Sequence, residues 1–371
     1  MKNKRFLIMI TFGLLAILLA GCSGTATATS WGGAAVTDEA IFLADGNQVI
    51  ALNPENGAVL GSAYPEKPTA TRLFLSAPVL AGDQLLVADY ANTLTSLDPR
   101  NITTEFWSFS GATAKYIDSP LVVGNIVVAP NADNNIYAID LETAQNKVDN
   151  ALWVFSGDPI EKNEKITKAK GAFWAQPVSD GELVYAPNLD HYLYAVNLAT
   201  GEKVWKEDLE APLVARPLLN GEILYIGTLN GDVFAINVNT RTLVWRNKVE
   251  GGIWSAPTLV DEQIYFGDQK GNVTIFDLND GTILDTARLG SAILGSGIVL
   301  PDGVAFGKED GDLVLVPFEG EKQWSMPVGG ALYSNIASNG DLFVVVSNKG
   351  DNQLIAFRTD GKQSWAYKPG K

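Results

Sequence analysis

Few side chains in this 371-residue chain could do covalent or metal chemistry. There is one cysteine, Cys22, and one histidine, His191. A lone cysteine excludes an intrachain disulfide, so stability must come from packing. Cys22 follows Leu19, Ala20 and Gly21 at the end of an uncharged apolar run over 6–20, which Lys2, Lys4 and Arg5 precede. That order is the layout of an export signal, and the run is short for a membrane span, which needs ~20 residues. His191 stands in a polar turn and would have to serve any catalytic triad or metal site alone; a turn position of this kind reads as solvated surface.

The remaining candidates are polar clusters and aromatics. Asp310-Gly311-Asp312 and Asp133-Asn134-Asn135 have the composition of calcium loops, but the full spacing with its closing bidentate Glu is missing, so they read as hairpin turns. The densest basic run, DPIEKNEKITKAKG over 158–171, holds Lys162, Lys165, Lys168 and Lys170 and lacks apolar periodicity. It reads as a surface loop and a candidate partner contact. Trp107, Trp153, Trp205, Trp245, Trp324 and Trp365 recur at one repeat position, which indicates a core role. Trp31, Trp174 and Trp254 instead come just before a repeat's first strand. Gln176, Arg216 and Asn335 share a pre-strand position where other repeats carry Ala77, Ala256 or Ser296. Large polar groups there are candidates to line a central funnel or to meet a partner.

The element that must position all of these is a repeat. Over 181–205 (GELVYAPNLDHYLYAVNLATGEKVW) two runs of β-formers flank a polar turn, and a third strand ends at Trp205. A second copy lies 40 residues on, ending at Trp245. The first apolar run recurs at Ile41, Leu85, Ile126, Leu183, Ile223, Ile264, Val304 and Leu342, spaced 44, 41, 57, 40, 41, 40 and 38. The strands are apolar at odd and even positions alike, so both faces of each sheet must be buried. The expected fold is all-β, an eight-bladed β-propeller of four-stranded antiparallel blades. The expected domains are a signal peptide over 1–21, a flexible tether over 22–30 and one propeller over 31–371, with an insertion of about 17 residues behind the 57-residue spacing. Net charge is −15, and loss of the signal brings it to about −18, which argues against nucleic-acid binding.

Two resemblances add to this. Leu19-Ala20-Gly21-Cys22 resembles the bacterial lipobox, which implies a Cys22 carrying acyl chains such as palmitate and an extracytoplasmic, membrane-anchored lipoprotein. Ala195-x-Asn197-x-x-Thr200-Gly201-x-x-x-Trp205 resembles the tryptophan-docking motif of the PQQ-type propeller repeat, in which the Trp of one blade packs on the Ala and Gly region of its neighbour. Ala235, Asn237, Thr240 and Trp245, with Arg241 in place of Gly, and Ala356, Gly361 and Trp365 are partial copies. Size, lipobox and the lack of an added domain are most similar to the BamB-type lipoproteins of outer-membrane assembly. That implies a monomeric, non-enzymatic scaffold without cofactor or metal, binding protein partners in the cell envelope. The family's Leu/Arg loop and Asp-x-Asp loop correspond to 209–216 and 250–255; Leu213 and Arg216 echo the first, and the second has no aspartate. The alternatives are a PQQ-binding or sugar-acting propeller enzyme using the funnel, and a surface-binding lipoprotein of a bacterium without an outer membrane.

Overall fold

A strand apolar on both sides cannot face water, and a four-stranded sheet built from such strands needs a neighbour on each side. The computed structural model, which describes residues 32–162, 165–319 and 324–369, meets this need with eight sheets in a closed ring. Blade 5 is representative: Leu218–Asn220, Ile223–Gly227, Asp232–Asn237 and Thr242–Lys248 pair antiparallel in sequence order. On its second strand Leu224 and Ile226 pack into the core shared with blade 4, whereas Tyr225 joins the core shared with blade 6. Odd and even residues thus serve different interfaces. The apolar side chains of the described residues gather in eight clusters, one between each pair of adjacent blades.

The other blades follow the same plan. Blades 3 and 4 comprise Leu121–Val123, Ile126–Pro130, Asn135–Asp140 and Trp153–Ser156, then Val178–Ser179, Leu183–Pro187, Tyr192–Asn197 and Lys203–Asp208. Blades 6 to 8 begin at Thr258–Val260, Ile298–Leu300 and Ala337–Ser338 and end at Ile283–Arg288, Ser325–Pro327 and Gln363–Tyr367. In blades 4, 5 and 8 the residue opposite the Trp is Ala195, Ala235 or Ala356, and the register slips immediately after it. Such a bulge re-aims the side chain that follows it.

Two blades depart from four strands. Blade 1 has three, Ala34–Val36, Ile41–Asp45 and Gln48–Leu52, and its outer segment joins the third through isolated bridges, Leu52 to Val59 and Val49 to Tyr64, and a hydrogen bond from the Gln48 side chain to the Pro65 carbonyl. Pro54, Gly57, Gly61 and Pro65 punctuate that segment and deny it a strand run. Tyr64 anchors it: the phenol donates to Glu105 at 2.7 Å and accepts from Arg72, whose Nε bonds the fully buried Asp89 at 2.6 Å. Blade 2 gains a fifth strand, Asn146–Val148, parallel to Trp107–Phe109 of its outer strand Asn101–Phe109.

The insertion is therefore split. Asp140 to Trp153 is 13 residues where Asn197 to Trp205 is 8, and the excess there feeds the added strand. The rest forms a β-hairpin, Pro159–Lys162 with Lys165–Lys170, where the sequence suggested a loop. Its feet are tied down: Asp158 pairs with Lys203 at 2.5 Å and Lys206 at 3.1 Å, and the Gly171 carbonyl accepts from the buried Asn188 amide at 3.0 Å.

Among the described residues no strand is exchanged to close the ring. Blades 8 and 1 meet face to face, with Ile41, Leu43 and Leu52 packed on Val344, Val346 and Leu354. Asn339 reaches Asp38 at 3.0 Å, Gln353 bonds Asp45, and the Trp365 indole donates to the Pro54 carbonyl at 2.8 Å.

Candidate functional site: the axial funnel

The segments that enter each first strand converge on the ring axis, and repeat register decides what each presents. Three positions before the strand-entry proline, or its equivalent, stand Leu75, Ile117, Trp174, Val214, Trp254, Leu294 and Tyr333, all of which line one cavity of about 280 Å³. They make a mainly apolar collar of four aliphatic and three aromatic side chains. One position before the proline stand Gln176, Arg216 and Asn335, with Ala77 and Ala256 between them on other blades. These polar groups form a throat beneath the collar. Arg216, Ala256 and Asn335 line both the upper cavity and a second, more open space of about 520 Å³ further down the axis.

The throat is held by charge. Arg216 of blade 5 forms a two-pronged ion pair with Asp118 of blade 3, its Nε lying 2.7 Å from Oδ2 and its Nη2 on Oδ1. Asp118 Oδ2 also accepts the Gln176 backbone amide at 2.9 Å, so three consecutive blades share one carboxylate. The Gln176 side chain donates to the Pro120 carbonyl at 2.6 Å, and Asn335 Oδ1 accepts from the Ser296 amide at 2.8 Å. A fork-on-fork pair in a recess is less screened than one on open surface. Arg216 is the one cation in the wall of either space among the described residues.

One ring of turns is acidic throughout its charged positions. On the face opposite the funnel, the turns between first and second strands carry Asp38 and Glu39, Asp83, Asp180 and Glu182, Glu222, Asp261 and Glu262, Asp302 and Asp341. All of these are exposed, and no Lys or Arg occupies any of the eight turns. The chain enters the ring on the funnel face, where Gly33 lines the cavity and packs on Ala77.

Of the residues singled out from sequence, Trp174, Trp254, Gln176, Arg216 and Asn335 come together here. Lys162, Lys165, Lys168 and Lys170 do not; they lie along the hairpin between blades 3 and 4. The repeat tryptophans sit between blades. Trp153, Trp245 and Trp365 donate their indole N–H to Leu198, Leu278 and Pro54 carbonyls of the next blade and lie against Gly201, Gly281 and Gly57. Trp324 meets Gly361, and Trp205 packs beside Tyr185 at 5.7 Å. Trp107 departs, donating instead to Gln84 of its own blade at 2.8 Å. Leu213 is fully buried between blades 4 and 5, so neither it nor Arg216 is presented on open surface. His191 is an exposed turn residue with φ of 71° that meets Asp208 at 2.7 Å. Cys22, the lipobox residues Leu19, Ala20 and Gly21, the tether and Trp31 lie outside the described residues.

Sequence reading missed Asp118, Tyr333 and Ser76. The signal was available in the register: Tyr333 falls three places before its strand-entry position, as Trp174 and Trp254 do, and Asp118 and Ser76 fall two places before theirs. Among the described residues, no three of His, Cys, Asp and Glu gather as a metal-ligating group.

A cofactor of the PQQ type, which the wider repeat family can hold, is a flat tricarboxylate and needs cations around it. Among the described residues the funnel supplies only Arg216, already neutralised by Asp118, so the residues present do not fit that group.

Comparison with known proteins bears on the whole ring. A family model described as outer membrane protein assembly factor BamB matches residues 22–189, 189–331 and 269–371. No curated protein matches the sequence. Among solved structures, BamB from Moraxella catarrhalis is similar with a TM-score of 0.69 at 16% identity, covering 87% of this chain and 92% of that one. The computationally designed Ika8 protein is similar with a TM-score of 0.72 at 14% identity, covering 89% and 96%. At these identities the structural likeness shows the fold alone.

Proposed function

The chain belongs to the family of the outer membrane protein assembly factor BamB, and from that premise we propose that it is a lipid-anchored, non-catalytic scaffold that offers its funnel face to protein partners in the cell envelope. The observation that carries this is the continuous family match, which begins at Cys22 itself and runs through all eight blades. Two structural features support it. The ring is rigid, with a packed core at every blade interface, and connections on a rigid scaffold are the usual carriers of binding. The non-catalytic reading is supported by a throat whose one carboxylate and one cation are spent on each other.

The entry point also orients the molecule. From an acylated Cys22 to Gly33 is 11 residues, which fully extended reach at most ~40 Å. Because the chain enters on the funnel side, the anchor holds that face toward the bilayer. The acidic turns point away from anionic lipid, which removes a repulsive contact.

The test is made in cells. Cys22→Ala should move the protein from the membrane to the soluble fraction, and mass spectrometry of the wild type should find fatty acid on the mature N-terminus. A photo-crosslinker at Glu210 on the funnel side should capture an envelope protein, whereas one at Glu222 on the acidic side should not. Capture from both faces equally, or from neither, removes the scaffold reading; a lipid-free N-terminus removes the anchor alone.

A further inference from the structure

We infer that the axial funnel is a binding site for a neutral carbohydrate of one or two sugar rings. A sugar ring asks for two surfaces at once: an aromatic face for its C–H side, and planar polar groups that both donate and accept for its hydroxyls. The funnel has both in the right order. Trp174, Trp254 and Tyr333 form part of the collar on three different blades, and none is fully covered. Beneath them the Arg216 guanidinium and the Asn335 amide offer donors and an acceptor, while Asp118, whose oxygens already accept from Arg216, Ser119 and Gln176, holds Arg216 in place. The volume of about 280 Å³ is that of a small-ligand pocket rather than of a peptide groove.

Charge selects among ligands. An anion would find its only cation already engaged and would enter against the field of a chain with net charge −15. A cation would have to displace Arg216 from a two-pronged pair. A neutral polyhydroxylated molecule meets neither obstacle and can hydrogen-bond an ion pair without breaking it.

This inference is independent of the scaffold reading, and its test needs only the purified mature chain. Maltose and N,N′-diacetylchitobiose are the neutral probes; gluconate and glucosamine are their charged counterparts. Saturation-transfer NMR should show the neutral probes binding, with a saturable change in tryptophan fluorescence. Trp254→Ala should weaken that binding about three- to tenfold, the worth of one aromatic contact. The double variant Trp174→Ala/Trp254→Ala should abolish it while circular dichroism and the melting temperature report an intact ring. Should the double variant fail to fold, Asn335→Ala takes its place, with a loss of binding expected. No transfer from either neutral probe overturns the inference. So does binding that survives the variants, or a preference for gluconate or glucosamine.

Discussion

At the scale of single residues, the blade interface rests on one contact between a ring and a missing side chain. Trp153 lies on Gly201 so closely that a β-carbon there would come within 2.7 Å of the indole, and Gly201 has φ of 73°. Both facts require glycine, one by space and the other by backbone. Gly201→Ala should therefore destabilise the protein by about 2–4 kcal/mol, combining left-handed strain with a displaced indole. A urea midpoint unchanged from wild type would show that the Trp is not held there. Blade 5 is the internal control: Arg241 occupies the equivalent turn position with φ of 59°, and Arg241→Gly should be neutral or mildly stabilising by the same backbone argument. The throat follows different logic, since Arg216 and Asp118 are useful only because blades 3 and 5 bring them together from 98 residues apart.

At the scale of elements, the hairpin over 159–170 is an addition to the ring rather than a part of it. Its strands pair only with each other, and its feet are fixed by Asp158 and Gly171, which lie outside the hairpin proper. Replacing 159–170 with a short Gly-Ser turn should leave the melting temperature within a few degrees of wild type, because no blade strand is removed. A collapse of the fold would show that the hairpin braces blade 4. If the deletion also removes one crosslinked partner while leaving others, the four lysines belong to a contact surface. The outer segment of blade 1 is the converse case. It has little pairing of its own and depends on Tyr64, whose hydroxyl is pushed up to about 12 by burial, with Arg72 pulling against it and Glu105 adding to the rise.

At the scale of the whole molecule, closure without an exchanged strand makes the interface of blades 8 and 1 like the other seven, held by faces and a tryptophan. Trp365→Ala should cost about 3 kcal/mol, the order found for removing a large aromatic from a packed site. Native-state hydrogen exchange should show the loss first in the amides of blades 1 and 8, since a ring opened at one interface frays from its two new ends. Uniform acceleration around the ring would mean that the interface is not a separable unit. The acidic ring of turns is likewise a property of the whole: seven of the eight turns between first and second strands carry a carboxylate, and they meet on one face only because the ring closes.

The chain's own pattern was enough to determine the number of blades, the four-strand meander and the two-sided burial. Periodicity, β-branched runs and turn residues are local, and each repeat states them again. It also picked out Trp174, Gln176, Arg216, Trp254 and Asn335, because a repeat lets unlike residues at one position stand out. What it did not contain was the pairing. That Asp118 answers Arg216, that Asn146–Val148 crosses to blade 2, that residues 159–170 pair as a hairpin and that Trp107 turns inward to Gln84 depend on distances between elements. Those distances exist only once the blades are packed. Local propensity can specify each blade in isolation, but the funnel is the space left where all of them meet, and only the closed ring gives it walls.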